Sequence, residues 1–425
     1  MGGWPLWIAV FVMLARTASA AEKKDLSLEK EVEHYLATSA PAADAGPPEL
    51  KGAWKDGPRW SSADGNFAFG VVGRLLWDSF WIDSDEFAGT ATRDGTFFRR
   101  VRLGVQGTVY KNVEFRIEID FAKSTLVLAD VYFGIKGLGA AGTLRVGHMR
   151  EPFSLEVMES ANDLSTIERS ASAEAFAPFR NVGIALSNTA LEERVTWSAG
   201  VFRNTDDQGQ TREDGGYSVT LRITGLPLRD PERELLVHVG LGASLRDPDA
   251  ETVRFQARPG IGTGSRLVDT GDITTADSVL LLNLELAVAW KAFSVQGEVI
   301  AAEVEGAAAI PSLSFHGWYV LVAYTLTGEP REYKAKTGVF GSPKPKRNFR
   351  GESGGYGAFE LVARIDGIDL NDGAITGGEQ QTVSLGLNWY LNPNTRMMFH
   401  LLFTDVDAPK SGDLIIFVTR FQFFF

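Results

Sequence analysis

Basic side chains that could bind anions fall in two parts of the sequence. One is the stretch from Glu329 to Arg350, where seven lysines and arginines stand against two glutamates in a chain of net charge −12. The other is a set of arginines at alternating positions, where strands would place them on one face. Such groups bind anionic oxygens through charge-assisted hydrogen bonds. We assign this chemistry to Arg74, Arg100, Arg102, Arg222, Lys334, Lys336, Lys344, Lys346, Arg347 and Arg364.

Residues for catalysis are sparse. The five histidines stand singly, and neither a nucleophile elbow nor a His-x-x-x-His metal pair accompanies them. The absence of cysteine excludes thiol catalysis, cysteine-ligated zinc and disulfides. We therefore predict no catalytic residues, no metal site and no cofactor.

The elements that carry the basic residues have an alternating pattern. From Asn66 to Phe425, stretches of about ten residues place an apolar side chain at every second position. In the last stretch, Phe417, Phe421 and Phe423 share one parity, while Arg420 and Gln422 share the other. Because a bilayer forbids unpaired backbone groups, this pattern predicts a closed antiparallel barrel with lipid outside and water inside.

The alternation predicts sixteen strands, an even number as expected for a bacterial single-chain barrel. They are 66–80, 97–109, 112–122, 126–136, 142–149, 180–189, 193–203, 216–225, 233–245, 278–290, 292–304, 313–326, 354–366, 379–391, 395–406 and 413–425. Tight turns at 110–112, 290–292 and 392–394 then fall on the periplasmic side. The long connections 150–179, 204–215 and 246–277 fall on the outer side, whereas the long segment 327–353 breaks this rule.

The N-terminal part has a different composition. Residues 1–20 resemble a signal peptide, with an apolar core followed by Ala18-Ser19-Ala20, although an uncleaved anchor helix is the alternative. Residues 21–65 are predicted to form a periplasmic segment that contains a short amphipathic helix over 25–37 and a Pro-rich linker over 40–60. The barrel then occupies residues 66–425.

Parity assigns the arginines to the lumen. Val101, Leu103 and Val105 share the lipid parity, so Arg100 and Arg102 face inward. The reverse assignment would cost roughly 2–4 kcal/mol for each arginine near the bilayer midplane. Arg74, Arg222 and Arg364 face the lumen by the same criterion. The alternative role for Arg100 and Arg102 is ion pairing with the acidic side chains of the next strand, which would stiffen the wall.

Five sequence motifs occur in the same order as in a known protein family. They are Phe98–Gly107 (FRRVRLGVQG), Glu151–Leu155 (EPFSL), Ile167–Ser170 (IERS) with Ala177–Gly183 (APFRNVG), Trp197–Phe202 (WSAGVF) and Leu387–Asn394 (LNWYLNPN). The chain thereby resembles the phosphate-selective porin O and P family of Gram-negative outer membranes.

That resemblance implies a sixteen-stranded, typically trimeric barrel in which one periplasmic turn and two outer loops fold inward. Segments near 150–179, 246–277 and 327–353 stand where these would be. The basic stretch would then line a constriction and favour anions, because low-dielectric walls focus the field of rings of Lys or Arg. The alternative for this stretch is a solvated basic loop.

These observations predict an outer-membrane porin for passive diffusion of small anions, of the phosphate class. The expected partners are these anions, outer-membrane lipid and two further copies of the chain, without nucleic acid. Loop 246–277 has four arginines against six acidic residues, so a general or other-solute porin without phosphate selectivity is the alternative. A barrel enzyme and a soluble secreted β-sandwich are the remaining alternatives.

Overall fold

The computed structural model describes residues 48–84, 93–211, 215–274, 276–306, 311–352, 354–408 and 411–425. The predicted signal peptide, the helix over 25–37 and the first part of the linker lie outside these residues. In the described part of the chain, no helix is long and apolar enough to cross a membrane.

The predicted sixteen-stranded antiparallel barrel is confirmed. Strands are numbered in chain order. Two short strands, β1 (Leu50–Trp54) and β2 (Pro58–Ser62), precede the sixteen strands of the barrel. The barrel strands are β3 (Phe67–Ser84), β4 (Gly95–Val109), β5 (Val113–Asp120), β6 (Val127–Ile135), β7 (Thr143–Arg150), β8 (Arg180–Ala190), β9 (Val195–Arg203), β10 (Tyr217–Asp230), β11 (Leu235–Arg246), β16 (Ala276–Trp290), β17 (Phe293–Gly306), β18 (Leu313–Thr325), β21 (Ala358–Asp372), β22 (Ile375–Asn392), β23 (Thr395–Asp407) and β24 (Gly412–Phe424).

Closure occurs between the last and the first barrel strand. β24 pairs antiparallel with β3, from Leu414 opposite Ser84 to Phe424 opposite Arg74. On the outer face of this seam, Trp81 stacks on Phe417 with ring centroids 5.6 Å apart. Since every barrel strand has two neighbours, the edges that a sheet would otherwise expose are paired.

The two faces of the wall differ as the alternation requires. On β16, Leu282, Leu284 and Leu286 point outward and are 45%, 45% and 53% exposed, whereas Asn283 and Glu285 between them are buried inside. Outward side chains in such a wall contact lipid, and inward ones contact either water or the segments that fill the lumen.

Part of the predicted linker forms strands instead. β2 pairs with β3 from Arg59 opposite Gly70 to Ser61 opposite Ala68. The last residue of the chain, Phe425, exchanges backbone hydrogen bonds with Gly73 of the same strand. β24 therefore does not reach the first residues of β3. β2 pairs with the backbone groups of these residues, which would otherwise remain unpaired.

Two long connections and one long turn carry structure of their own. Residues 151–179 contain helices α1 (Leu155–Met158) and α2 (Ala171–Phe176). The connection from β11 to β16 contains β12 (Thr252–Val253), β13 (Gln256–Ala257), β14 (Val268–Asp269) and β15 (Ile273–Thr274). The turn from β18 to β21 contains the hairpin of β19 (Arg331–Lys334) and β20 (Val339–Pro343).

Wall carboxylates hold the two helices inside the barrel. Glu298 of β17 accepts the backbone N–H groups of Leu155 and Glu156 at 2.9 and 2.7 Å. Asp366 of β21 accepts the N–H of Ala171 at 3.1 Å. Both contacts satisfy donors at helix starts that the helices themselves leave unpaired.

Candidate functional site: an arginine-lined passage

One side of the lumen is closed by an apolar core. Residues of 151–179 and of the β11–β16 connection pack there against inward residues of β16–β18, β21, β23 and β24. Buried members of this core include Phe153, Ile167, Phe176, Phe255, Ile261, Leu281, Ile300, Phe315, Ile368, Leu402 and Ile416. Water and solutes are therefore restricted to the remaining side of the lumen.

The β19–β20 hairpin closes another part, at the barrel end that carries the short turns. Its tip docks on the wall, where Thr196 donates to the carbonyl of Ala335 at 2.7 Å and Arg222 donates to the carbonyl of Gly338 at 2.8 Å. Val339 and Phe340 of the hairpin pack on Leu155 of α1. The hairpin and segment 151–179 thus support each other inside the lumen.

A cavity of about 400 Å³ lies beside β4–β8. Its described lining includes nine basic side chains and five acidic ones. The basic residues are Arg99, Arg100, Arg102, Lys123, Arg150, Arg169, Arg180, Arg258 and Arg266, and the acidic residues are Asp120, Glu168, Glu174, Asp206 and Asp207. In this restricted, partly desolvated space the excess of positive charge produces a local field that favours anions.

Several of these arginines are neutralised by carboxylates. Arg102 binds Asp120 at 2.7 Å and Arg180 binds Asp130 at 3.0 Å. Arg99 binds Glu168 at 2.8 Å, and the pair of Arg258 with Glu174 joins the β11–β16 connection to α2. Such pairs fix the positions of the guanidinium groups and reduce their net charge.

Arg100 differs from its neighbours. It is only 7% exposed, it lines the cavity, and among the described residues it makes no hydrogen bond or ion pair. Its guanidinium nitrogens are not fully enclosed by protein, so they border the cavity, where an anion can accept hydrogen bonds from them. Arg100 is therefore the strongest candidate for direct contact with a solute.

Two further arginines bind carbonyls rather than carboxylates. Arg150 donates to the carbonyls of Val157, Met158 and Glu159 at 2.6, 3.1 and 2.8 Å. Arg169 donates to the carbonyl of Glu159 at 2.8 Å, and burial lowers its pKa against the attraction of Glu156. Both arginines anchor the end of α1 while their positive charges stay beside the cavity.

The basic lining continues along the wall toward the short turns. Arg74 pairs with Glu118 at 3.1 Å, Arg116 pairs with the same carboxylate, and Arg145 pairs with Glu114 at 2.6 Å. In the strand register, Arg74 lies opposite Arg102, and Arg116 lies opposite Gln106. From Arg100 to the level of Arg145 this arginine track extends roughly 26 Å, at about 3.3 Å per residue.

The inward residues predicted on the wall therefore divide into two groups. Arg74, Arg100 and Arg102 lie on the arginine track. Arg222 binds Glu285 at 2.8 Å and the hairpin, and Arg364 binds Asp366 at 3.0 Å and the carbonyl of Glu168 at 2.8 Å. Arg222 and Arg364 thus hold the inward segments in place and lie outside the cavity lining.

The predicted basic stretch also divides. Lys334 is inside the barrel and pairs with Asp163 at 2.6 Å. Lys336, in contrast, is 3.9 Å from Glu193 with its side chain 81% exposed.

The remaining predicted cations of this stretch follow the hairpin. Lys344 pairs with Glu332 at 2.9 Å, and Lys346 donates to the carbonyl of Gly328 at 3.0 Å. Arg347 is exposed. None of these three residues belongs to the described lining of the cavity.

Residues near 349 lie at the rim beside a short turn rather than in the lumen. The N–H of Phe349 donates to the carbonyl of Leu391 at 2.7 Å. The ring of Phe349 packs against the ring of Trp389 with the ring centroids 4.9 Å apart. The cluster of positive charge expected in one inward turn is therefore spread between the lumen and the rim.

Strand alternation did not predict four arginines of the cavity lining, Arg99, Arg150, Arg169 and Arg180. The register shifts between Leu76 and Trp77, so Arg99 bulges and points inward together with Arg100. Simple alternation assigns these two consecutive residues to opposite faces. Arg150, Arg169 and Arg180 border or belong to segment 151–179, where strand parity gives no guidance. The family motifs that contain Arg99, Arg169 and Arg180 were the available signal.

Comparison with known proteins agrees with this architecture. Residues 69–425 match the family model described as phosphate-selective porin O and P. The chain belongs to this family. Porin O of Pseudomonas aeruginosa is 28% identical to this porin over 413 residues, which cover 87% of this chain and 91% of that protein. An uncharacterized protein of Caulobacter vibrioides is 28% identical over 386 residues, covering 84% and 73% of the two chains.

Solved structures share the fold at low identity. The outer membrane channel DcaP of Acinetobacter baumannii has a TM-score of 0.53 at 11% identity, covering 85% of this porin and 99% of that chain. The anion-selective porin from Comamonas acidovorans has a TM-score of 0.51 at 12% identity, covering 84% and 100%. The predicted porin of the Gram-negative outer membrane is thus confirmed by its family and fold.

Proposed function

We propose that this porin conducts small anions by passive diffusion along the arginine track, with oxyanions of the phosphate class as its preferred solutes. The observation that supports this proposal best is the arginine-lined cavity, whose basic side chains outnumber its acidic ones and include the unpaired Arg100. Fixed positive charges in a narrow, low-dielectric passage select anions.

The chemistry of the track favours oxyanions over chloride. A guanidinium group presents several N–H donors in a planar fork that matches two oxygens of one anion. Arg99 and Arg100 are adjacent in the chain and both line the cavity, with Arg169 near them. A tetrahedral oxyanion can accept hydrogen bonds from several of these groups together. The family description as phosphate-selective porins and the anion selectivity of the Comamonas porin also support a preference for anions of this kind.

Two further features belong to this proposal. Transport follows the solute gradient without a catalytic step. The barrel assembles as a homotrimer in outer-membrane lipid, as a trimer form of OmpT of Vibrio cholerae, at 11% identity, also suggests. Light scattering of the detergent complex should give the mass of three chains.

The test is the reversal potential of the refolded protein in a planar bilayer under a KCl gradient, with and without millimolar phosphate. We expect anion selectivity and block of the chloride current by phosphate. R100Q should weaken the block at least about tenfold, because one charge-assisted contact is worth about 1.5–3 kcal/mol. The control R233Q removes an arginine whose side chain is 78% exposed in a short turn and should not change the block. Cation selectivity without block would contradict the proposal.

A further inference from the structure

We propose that Glu168 is a tethered competitor for the transported anion: its carboxylate occupies the arginine cluster and must be displaced before an anion can bind. This inference rests on the proposed function and names the residue that limits anion affinity at the same site. A channel needs binding that is strong enough for solute uptake and weak enough for release. An internal carboxylate supplies that balance, because anion binding is offset by the loss of its own contacts.

The carboxylate of Glu168 contacts two arginines. Arg99 donates from Nε to Oε1 at 2.8 Å and from an Nη atom to Oε2 at 3.0 Å. Arg420 of β24 donates to Oε1 at 2.7 Å. The side chain of Glu168 is 12% exposed and lines the cavity, so the carboxylate reaches the space where solutes pass.

The backbone under this carboxylate is fixed. Arg364 and the hydroxyl of Thr166 donate to the carbonyl of Glu168 at 2.8 and 2.9 Å. Arg420 also donates to the carbonyl of Ile167 at 2.5 Å. Rotation of the Glu168 side chain therefore allows an anion to replace its carboxylate at the arginines, while segment 151–179 stays in place.

The two arginines would be affected differently by displacement of Glu168. Arg420 keeps Asp78, which it binds through two hydrogen bonds of 2.6 and 2.7 Å. For Arg99, Glu168 is the carboxylate partner among the described residues, and the unpaired Arg100 is adjacent. Arg99 and Arg100 are thus the groups that an incoming anion would take over.

Asp120, another carboxylate of the cavity lining, is less able to move. Asp120 accepts the backbone N–H groups of Val101 and Ala122 at 3.1 Å each, in addition to Arg102. These contacts hold Asp120 in the wall. In contrast, the carboxylate of Glu168 accepts hydrogen bonds from arginine side chains and from no backbone N–H group of the described residues. Its displacement therefore leaves no backbone donor unpaired.

The experiment compares wild type, E168Q and E193Q for the phosphate concentration that halves the chloride current in a planar bilayer. E168Q removes the competitor and should lower this concentration about tenfold, with slower phosphate release. E193Q is matched in charge but lies in a short turn beside Lys336, and its block should equal that of wild type. The shorter side chain of E168D cannot keep all contacts with Arg99 and Arg420, so its half-blocking phosphate concentration should lie between those of wild type and E168Q. E168D also tests the inference if E168Q fails to fold.

The outcomes separate this inference from the proposed function. If wild type is anion-selective and blocked by phosphate, but E168Q and E168D are blocked no more tightly, Glu168 is only a structural partner of Arg99 and Arg420. If wild type shows neither anion selectivity nor block, the proposed function and this inference both fail.

Discussion

Most charged side chains inside this barrel are paired, and their distribution decides which of them can act on a solute. Arg74, Arg102 and Arg180 each have a carboxylate partner within about 3.1 Å. A pair that is removed from water gains little net stability, although breaking it is costly. Paired arginines therefore shape the track, and the unbalanced charge comes from Arg100 together with Arg150 and Arg169, which bind carbonyls.

Glu159 gives a pH-dependent prediction at the residue scale. Its carboxyl is buried in segment 151–179, and burial raises its pKa to about 8, against the opposing attraction of Arg331. The unfolded chain loses this proton near pH 4.5, whereas the folded chain keeps it up to about pH 8. The folded state thus binds more protons in this window, and stability falls as pH rises through it.

The measurement is the temperature at which the folded band disappears in SDS gels, at pH 5.5 and at pH 8.5. Wild type should lose stability between these values by more than E159Q, because glutamine does not titrate. An equal loss in both proteins would contradict the prediction.

At the scale of elements, the turn from β18 to β21 has two parts with different roles. The hairpin Arg331–Pro343 is inside the lumen, where Arg331 donates to Gln296 at 2.7 Å and stacks on Phe340. Residues after Pro343 carry exposed cations near the rim. Exposed charges are screened over about 8 Å at physiological salt, so those cations act weakly on ions inside the passage.

The prediction is that K344E/K346E/R347E changes the ratio of anion to cation permeability less than about twofold in 0.15 M KCl. The bilayer reversal potential measures this ratio, and R100Q in the same assay should change it more. A switch to cation selectivity in the triple variant would restore the expectation that the basic stretch controls the pore.

At the scale of the whole molecule, the seam between β24 and β3 combines barrel closure with support of the constriction. Arg420 binds Asp78 across the seam and Glu168 of the inward segment, and the side chains of Arg420 and Asp78 are each about 1% exposed. One guanidinium group therefore joins the two ends of the barrel to the segment that narrows it.

Removing this group should destabilise the whole barrel. R420A leaves Asp78 buried without its partner, at about 3–5 kcal/mol. We expect a lower temperature for loss of the folded band in SDS gels and a smaller refolded fraction in detergent. R233A, in an exposed turn, is the control. Unchanged stability of R420A would show that water replaces the lost contact.

The strand count, the closed antiparallel barrel and the inward direction of Arg74, Arg100 and Arg102 all follow from the amino-acid sequence alone. Alternation is a local property, and lipid on one face forces it to persist along every strand. Which inward arginines border water follows only from the folded chain, because it depends on contacts between distant residues such as Arg99 with Glu168. The bulge at Arg99 and the apolar filling of one side of the lumen likewise arise from packing between segments, which no single strand encodes.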